Sequence, residues 1–175
     1  NLDKSNVVIL GGTGPVGVAS AVICAKAGAY VTLVGRSLEK AEKIAGICND
    51  RYDSKNVKGG ADADKSDFFN AADIVLNTGA AGIQLMSEEH IKNSNTLKIC
   101  ADTNAVPPSG IAGVDVMDNG KVIDMSPSKC LGIGALAIGN IKYKSQHECL
   151  KLMYTSEKPV YLDFEDAFKF AQKSV

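Results

Sequence analysis

The segment Gly12-Thr13-Gly14-Pro15-Val16-Gly17 places glycines at its first, third and sixth positions. That spacing suits a backbone turn wrapped closely around a pyrophosphate, provided a strand precedes it and a helix follows. Both are signalled here. Val7-Val8-Ile9-Leu10-Gly11 is a short apolar run ended by glycine, the pattern of a strand buried on both faces. The stretch Val18 to Ala27 is rich in Ala, Val and Ile, with Pro15 suited to a first helical turn and Gly28 to a C-terminal cap. Gly12 is expected to make the tight turn, Gly14 to let phosphates approach, and Gly17 to let the helix pack on the strand. The helix-start amides then face the phosphates with the positive end of the helix dipole.

The end of the second strand decides which nucleotide fits. An acid there would hold the two ribose hydroxyls of NAD. The apolar strand Tyr30 to Val34 instead runs into Gly35-Arg36-Ser37, and the nearest carboxylate is Glu39, two residues into the next helix. Arg36 offers a planar, permanently charged fork to a 2′-phosphate and a face that can stack on adenine. Ser37 adds a hydroxyl or amide donor, and Lys40 a second cation one turn on. The expected cofactor is NADP in preference to NAD, with Gly35, Arg36, Ser37 and Lys40 at its phosphorylated ribose.

Other glycine-rich turns fall where such a sheet holds its ligand, at the carboxyl ends of strands. Asp73 to Asn77 reads as a strand followed by Thr78-Gly79-Ala80-Ala81-Gly82, so Thr78, Gly79 and Ala80 are expected beside the nicotinamide ribose. Leu97 to Ala101 is another strand, ending in Asp102-Thr103-Asn104, which adds Asp102 and Asn104. Gly134 opens a long helix running to about Tyr154. Its amide could receive the nicotinamide carboxamide, and close helix packing explains the glycine nearly as well. His90 and His147 lie on helix surfaces with no acid or cysteine at useful spacing. No metal motif, nucleophile elbow or Walker loop is present, and hydride transfer requires none of them.

The elements that position these residues alternate. Helices are expected from Ser37 to about Arg51, from Ser66 to Ala72, from Ser87 through Ile91, and after an Asp163 cap. Val57 to Gly59 reads as a short third strand, and Asp118-Asn119-Gly120-Lys121 as the turn of a hairpin within Ala112 to Met125. Strands alternating with helices give an α/β fold, a doubly wound parallel sheet of Rossmann type, as one domain over residues 1–175. The chain has 175 residues and a net charge of −1, which argues against a general nucleic-acid or membrane-surface binder. Five scattered cysteines with no CxxC pair read as small core residues of a reducing, cytoplasmic setting. No apolar run reaches the ~18 residues of a membrane span. The first residue is Asn1 rather than methionine, and a piece of a longer protein is expected.

The strings GGTGPVG, GRSLEKA, NTGAAGIQL, ADTNAVPPSGIAGVD and GIGALAIGNIK occur in that order from Val7 to Lys142. In them the chain resembles the NADP-dependent methylene-tetrahydromethanopterin dehydrogenases of methylotrophic bacteria. The resemblance implies an oxidoreductase of one-carbon metabolism, oxidising the methylene carbon of a tetrahydromethanopterin-type pterin and passing hydride to NADP. It implies that Gly12, Thr13, Gly14, Pro15 and Val16 hold the pyrophosphate and Arg36 the 2′-phosphate. Lys142 falls on the family's lysine in a GGLK-like segment at the pterin and nicotinamide cleft, and would act there on the substrate; the flanking residues here read AIGNIK. The family also carries an N-terminal pterin-binding domain, expected to be absent from this chain, and the full protein is expected to be a homo-oligomer. The GR-S-x-x-K-A run also suits a shikimate-dehydrogenase-like NADP domain, and a free-standing NADP-binding module is the non-enzyme alternative.

Overall fold

The computed structural model describes residues 2–174. The chain forms β1 (Asn6–Leu10), α1 (Pro15–Lys26), β2 (Tyr30–Gly35), α2 (Leu38–Tyr52), β3 (Val57–Ala61), α3 (Lys65–Asn70), β4 (Ile74–Asn77) and α4 (Glu88–Asn93). It continues through β5 (Ile99–Asp102), β6 (Asn119–Val122), β7 (Leu131–Ile133), α5 (Ala135–Thr155) and α6 (Phe164–Gln172). The sheet order is β3-β2-β1-β4-β5-β7-β6, parallel throughout except for β6, which pairs antiparallel with β7. The chain steps outward from β1 to β3, then returns to the other side of β1 at β4. That reversal leaves a crevice above the carboxyl ends of β1 and β4, where open α/β sheets bind ligands.

Alternation along the strands builds two cores, one on each sheet face. Val7 and Ile9 of β1 with Val31 and Leu33 of β2 pack against Ala21, Val22 and Ala25 of α1 and Ala41 and Ala45 of α2. Val8 and Leu10, facing the other way, join Val75, Phe69, Met86, Ile91 and Ile111. Small residues on α1 and α2 bring these helices close. Gly59 carries this furthest, because a Cβ there would run into the backbone of Ala41 and Glu42.

The expected order of elements is present, with two corrections at the far edge. Asp118-Asn119-Gly120-Lys121 is no hairpin turn. Gly120, at φ +81°, sits inside β6 at a register irregularity between Asn119 and Lys121. The partner of β6 is β7, Leu131–Ile133, a strand of three residues flanked by glycine whose sequence carries no strand signal. Among the described residues no helix is long and apolar enough to cross a membrane. Cys24, Cys48, Cys100 and Cys130 are buried and all five thiols are free. Burial pushes the Cys24 thiol up to about 11, far from nucleophilic ionisation at neutral pH.

Candidate functional site

The loop between β1 and α1 is shaped by contacts that leave no room for side chains. Gly11, rather than Gly12, takes the left-handed turn (φ +64°), and a Cβ on it would meet the backbone of Gly79 in the loop after β4. The signal for Gly11 was the double glycine, of which the motif spacing uses only the second. A Cβ on Gly12 would lie 2.9 Å from the Ile9 carbonyl and 2.7 Å from the Leu33 side chain. Gly17 of α1 packs directly on Gly12, so the third glycine seats the helix against the loop. Gly35 at the end of β2 leaves space for the Thr13 methyl group, 2.7 Å from where its Cβ would stand. It supports the loop from below.

Gly14 differs from its neighbours. A Cβ there would meet only the Gly11 carbonyl, 3.8 Å away, so the space above it is open. Gly14 is also the N-cap of α1, and no side chain caps that helix. The first helical bond runs from the Val18 amide to the Gly14 carbonyl (3.0 Å). Pro15 has no amide hydrogen, which leaves the amides of Val16 and Gly17 ahead of that bond, at the positive end of the helix. An open cradle over uncapped amides fits the pyrophosphate of a dinucleotide.

At the end of β2, Arg36, Ser37 and Lys40 are exposed side by side with Glu39. Ser37 caps α2, its hydroxyl oxygen accepting the Lys40 amide at 3.3 Å. The hydroxyl hydrogen remains available to a ligand. Arg36 and Lys40 thus stand as two exposed cations just beyond the carboxyl end of β2.

On the other side of the crevice four of the candidate residues are engaged in bonds within the fold. Thr78 donates both its amide and its hydroxyl to the Leu10 carbonyl, each at 2.9 Å, tying the β4 loop to the end of β1. The Asp102 carboxylate is buried and accepts from the Asn77 side-chain amide (2.7 Å), the Asn104 amide (2.9 Å) and the Ile111 amide (3.0 Å). The Asn104 side chain accepts from the amides of Gly82 (3.3 Å) and Val106 (2.9 Å) and donates to the Pro108 carbonyl (2.9 Å). The Gly134 amide donates to the Asp118 carbonyl at 2.8 Å, and its α-carbon packs on the backbone of Asp115 and Val116. These bonds support the crevice wall. Gly79 and the exposed Ala80 keep a place on its surface. Asn77, missed as a single residue, orders this wall, its side-chain oxygen accepting the Gly79 amide at 3.0 Å.

Lys142 lies elsewhere. It sits exposed on α5 at the edge of a cavity of about 580 Å³, among Ile23, Ile133, Ile138, Ile141 and Phe164. None of the glycine-loop residues lines that cavity.

One arrangement looks like a nucleophile and its base. Ser66 Oγ is 3.2 Å from His90 Nε2. However, His90 Nδ1 accepts the Ser87 amide at 3.1 Å in the capping box of α4, which puts the ring's proton on Nε2. The ring then has no lone pair for the Ser66 proton, so the pair is structural. Burial, followed by the nearby Lys65 charge, holds the His90 pKa below its usual value. Charging the ring would replace the acceptor of the Ser87 amide by a donor. A depressed histidine pKa contributes stability that is present above the unfolded value near 6.5 and is lost as pH falls through the folded one. His90→Gln keeps a capping box without titrating. Unfolding measured from pH 8 to 5 is expected to show the parent losing, relative to this variant, part of the ~1 kcal/mol of a helix cap. Parallel curves would remove His90 from the pH response. Among the described residues no group of His, Cys, Asp and Glu is placed to hold a metal.

Comparison with known proteins adds to this geometry. The chain is 38% identical over 174 residues to an NAD(P)-dependent methylenetetrahydromethanopterin dehydrogenase of Methylorubrum extorquens, covering 98% of this chain and 58% of the relative. It is 37% identical over 149 residues to the bifunctional protein MdtA of the same organism, covering 83% and 50%. The chain therefore spans between half and three fifths of the length of the curated relatives it matches. No protein-family model matches. Among solved structures, quinate dehydrogenase from Corynebacterium glutamicum in complex with NAD superposes with a TM-score of 0.60 at 18% identity, over 100% of this chain and 56% of that one. Shikimate dehydrogenase of Mycobacterium tuberculosis superposes with a TM-score of 0.55 at 16% identity, over 95% and 56%. At such identities these two show the fold alone. The chain is an α/β Rossmann-like domain that resembles, through nearly all its length, the methylene-tetrahydromethanopterin dehydrogenases.

Proposed function

We propose that this chain is the NADP-binding domain of an oxidoreductase that moves hydride from a methylene-tetrahydromethanopterin to NADP. The observation that carries the cofactor reading is the open space over Gly14 above the uncapped amides of α1. The substrate reading is supported by the 38% identity to a dehydrogenase named for that pterin. When bound, the cofactor supplies the hydride acceptor. The chain supplies binding and orientation: the loop from Gly12 to Val16 at the pyrophosphate, Arg36, Ser37 and Lys40 at a 2′-phosphate, and the wall built on Asn77 behind the nicotinamide half.

The pterin pocket needs a second wall. Leu136, Tyr143 and Leu150, seven residues apart and 49%, 70% and 65% exposed, give α5 an apolar stripe suited to packing against a further pterin-binding domain. Lys142, on the same helix, would act on the substrate at that junction, and oligomerisation would belong to the complete protein. Hydride transfer needs donor and acceptor carbons held ~3–3.5 Å apart, and such orientation supplies roughly 7–11 kcal/mol of barrier lowering. The 175 residues alone are therefore expected to bind NADP and to turn over no methylene-tetrahydromethanopterin. Calorimetry with NADP and steady-state turnover, with and without the additional domain, test both halves of the reading. No NADP binding would overturn the first; full turnover by the chain alone would overturn the need for a second wall.

A further inference from the structure

Asp102 carries more than loop support. It is 1% exposed at the carboxyl end of β5, in lateral register with Asn77 of β4, which in turn pairs with Leu10 of β1. The three groups bonded to its carboxylate, the Asn77 side-chain amide and the backbone amides of Asn104 and Ile111, are all donors. The other buried acid, Asp118, has the Lys121 ammonium at 3.8 Å. Asp102 has no such partner: among the described residues no Lys, Arg or His pairs with it. Gly110 fits this arrangement, since a Cβ there would collide with the Asn77 side chain. A fixed negative charge thus stands in a poorly polarisable wall beneath the second half of the crevice.

In a doubly wound sheet the first βαβαβ half takes the adenine end of a dinucleotide and the second half the nicotinamide end. The oxidised nicotinamide ring is cationic, and the reduced ring is neutral. We infer that Asp102 makes this domain prefer the oxidised over the reduced cofactor. This rests on the dinucleotide reading. The interaction disappears once the ring gains hydride, so the reduced cofactor is held less firmly and leaves more readily. A unit charge felt at about 10 Å through an effective dielectric near 20 changes affinity by roughly tenfold.

The test is equilibrium binding of NADP+ by calorimetry and of NADPH by its fluorescence. The parent is expected to bind NADP+ at least threefold more tightly than NADPH. Asp102→Asn keeps the shape and removes the charge, and is expected to reduce that ratio about fivefold or more. Asn104→Ala severs loop bonds but keeps the charge, and should weaken both forms equally. An unchanged ratio in Asp102→Asn overturns the inference, as does tighter NADPH binding by the parent. Should Asp102→Asn fail to fold by circular dichroism, the parent's salt response decides. A buried charge resists screening, so the ratio should hold from 0.05 to 0.5 M salt, and its collapse would place the responsible charge at the surface. A parent that binds neither form overturns the dinucleotide reading itself, whereas equal binding of both overturns only the role of Asp102.

Discussion

Gly14→Val is expected to abolish NADP binding while the chain stays folded. The two parts have separate physical grounds. Gly14 has ordinary extended backbone angles (φ −89°, ψ 171°), and a Cβ there meets nothing closer than 3.8 Å. A branched side chain therefore fits the fold, at a cost of about 0.5–1 kcal/mol for a poorer helix N-cap. The same side chain projects into the space where a pyrophosphate would meet the amides of Val16 and Gly17. Losing two charge-assisted hydrogen bonds of about 1.5–3 kcal/mol each lowers affinity by roughly a hundredfold or more. Gly11, Gly12 and Gly17 make poor test positions, because side chains there strike backbone and would disturb the fold itself. Circular dichroism establishes that the variant is folded, and calorimetry measures its binding. Parent-like NADP affinity in a folded Gly14→Val chain would move the nucleotide off this loop.

The sequence made the β1 loop legible because every signal there is local. The apolar run from Val7, the glycines and Pro15 are neighbours in the chain, and together they demand strand, turn and helix. The opposite wall is built from distant partners. Thr78 bonds to Leu10, Asn77 to Asp102, and Gly110 yields space to Asn77. A polar residue at a strand end reads equally as a ligand contact or as a brace, and the bracing bonds of Thr78, Asp102 and Asn104 join residues too far apart in the chain to be read from it. β7 escaped for a different reason: Leu131-Gly132-Ile133 is too short for periodicity and takes its strand geometry from β5 and β6 on either side. With β7 hidden, the glycine of β6 read as a turn. Lys142 came from the resemblance, and its position beside the apolar cavity under α5 and α6 could not be anticipated from AIGNIK.

Arg36→Ala is expected to weaken NADP binding by about 1.5–3 kcal/mol, the range for a charged hydrogen bond to an anion, and to leave NAD binding nearly unchanged. The guanidinium is exposed at the end of β2, directly after Gly35, and Lys40 lies one turn into α2. A 2′-phosphate there would gain a forked partner and a second cation, whereas a 2′-hydroxyl would gain little from either. Removing the side chain should not loosen the fold, because Arg36 is outside both apolar clusters and α2 keeps its Ser37 cap. Salt gives an independent check. Charges at an exposed rim are screened over a Debye length of about 8 Å near physiological ionic strength. The parent's preference for NADP over NAD should narrow as salt rises, while Arg36→Ala should show a flatter response. Calorimetric titration of both nucleotides at two salt concentrations measures all of this. Equal losses for NADP and NAD would place Arg36 against the adenine, and no loss for either would leave the 2′-phosphate to Lys40 and Ser37.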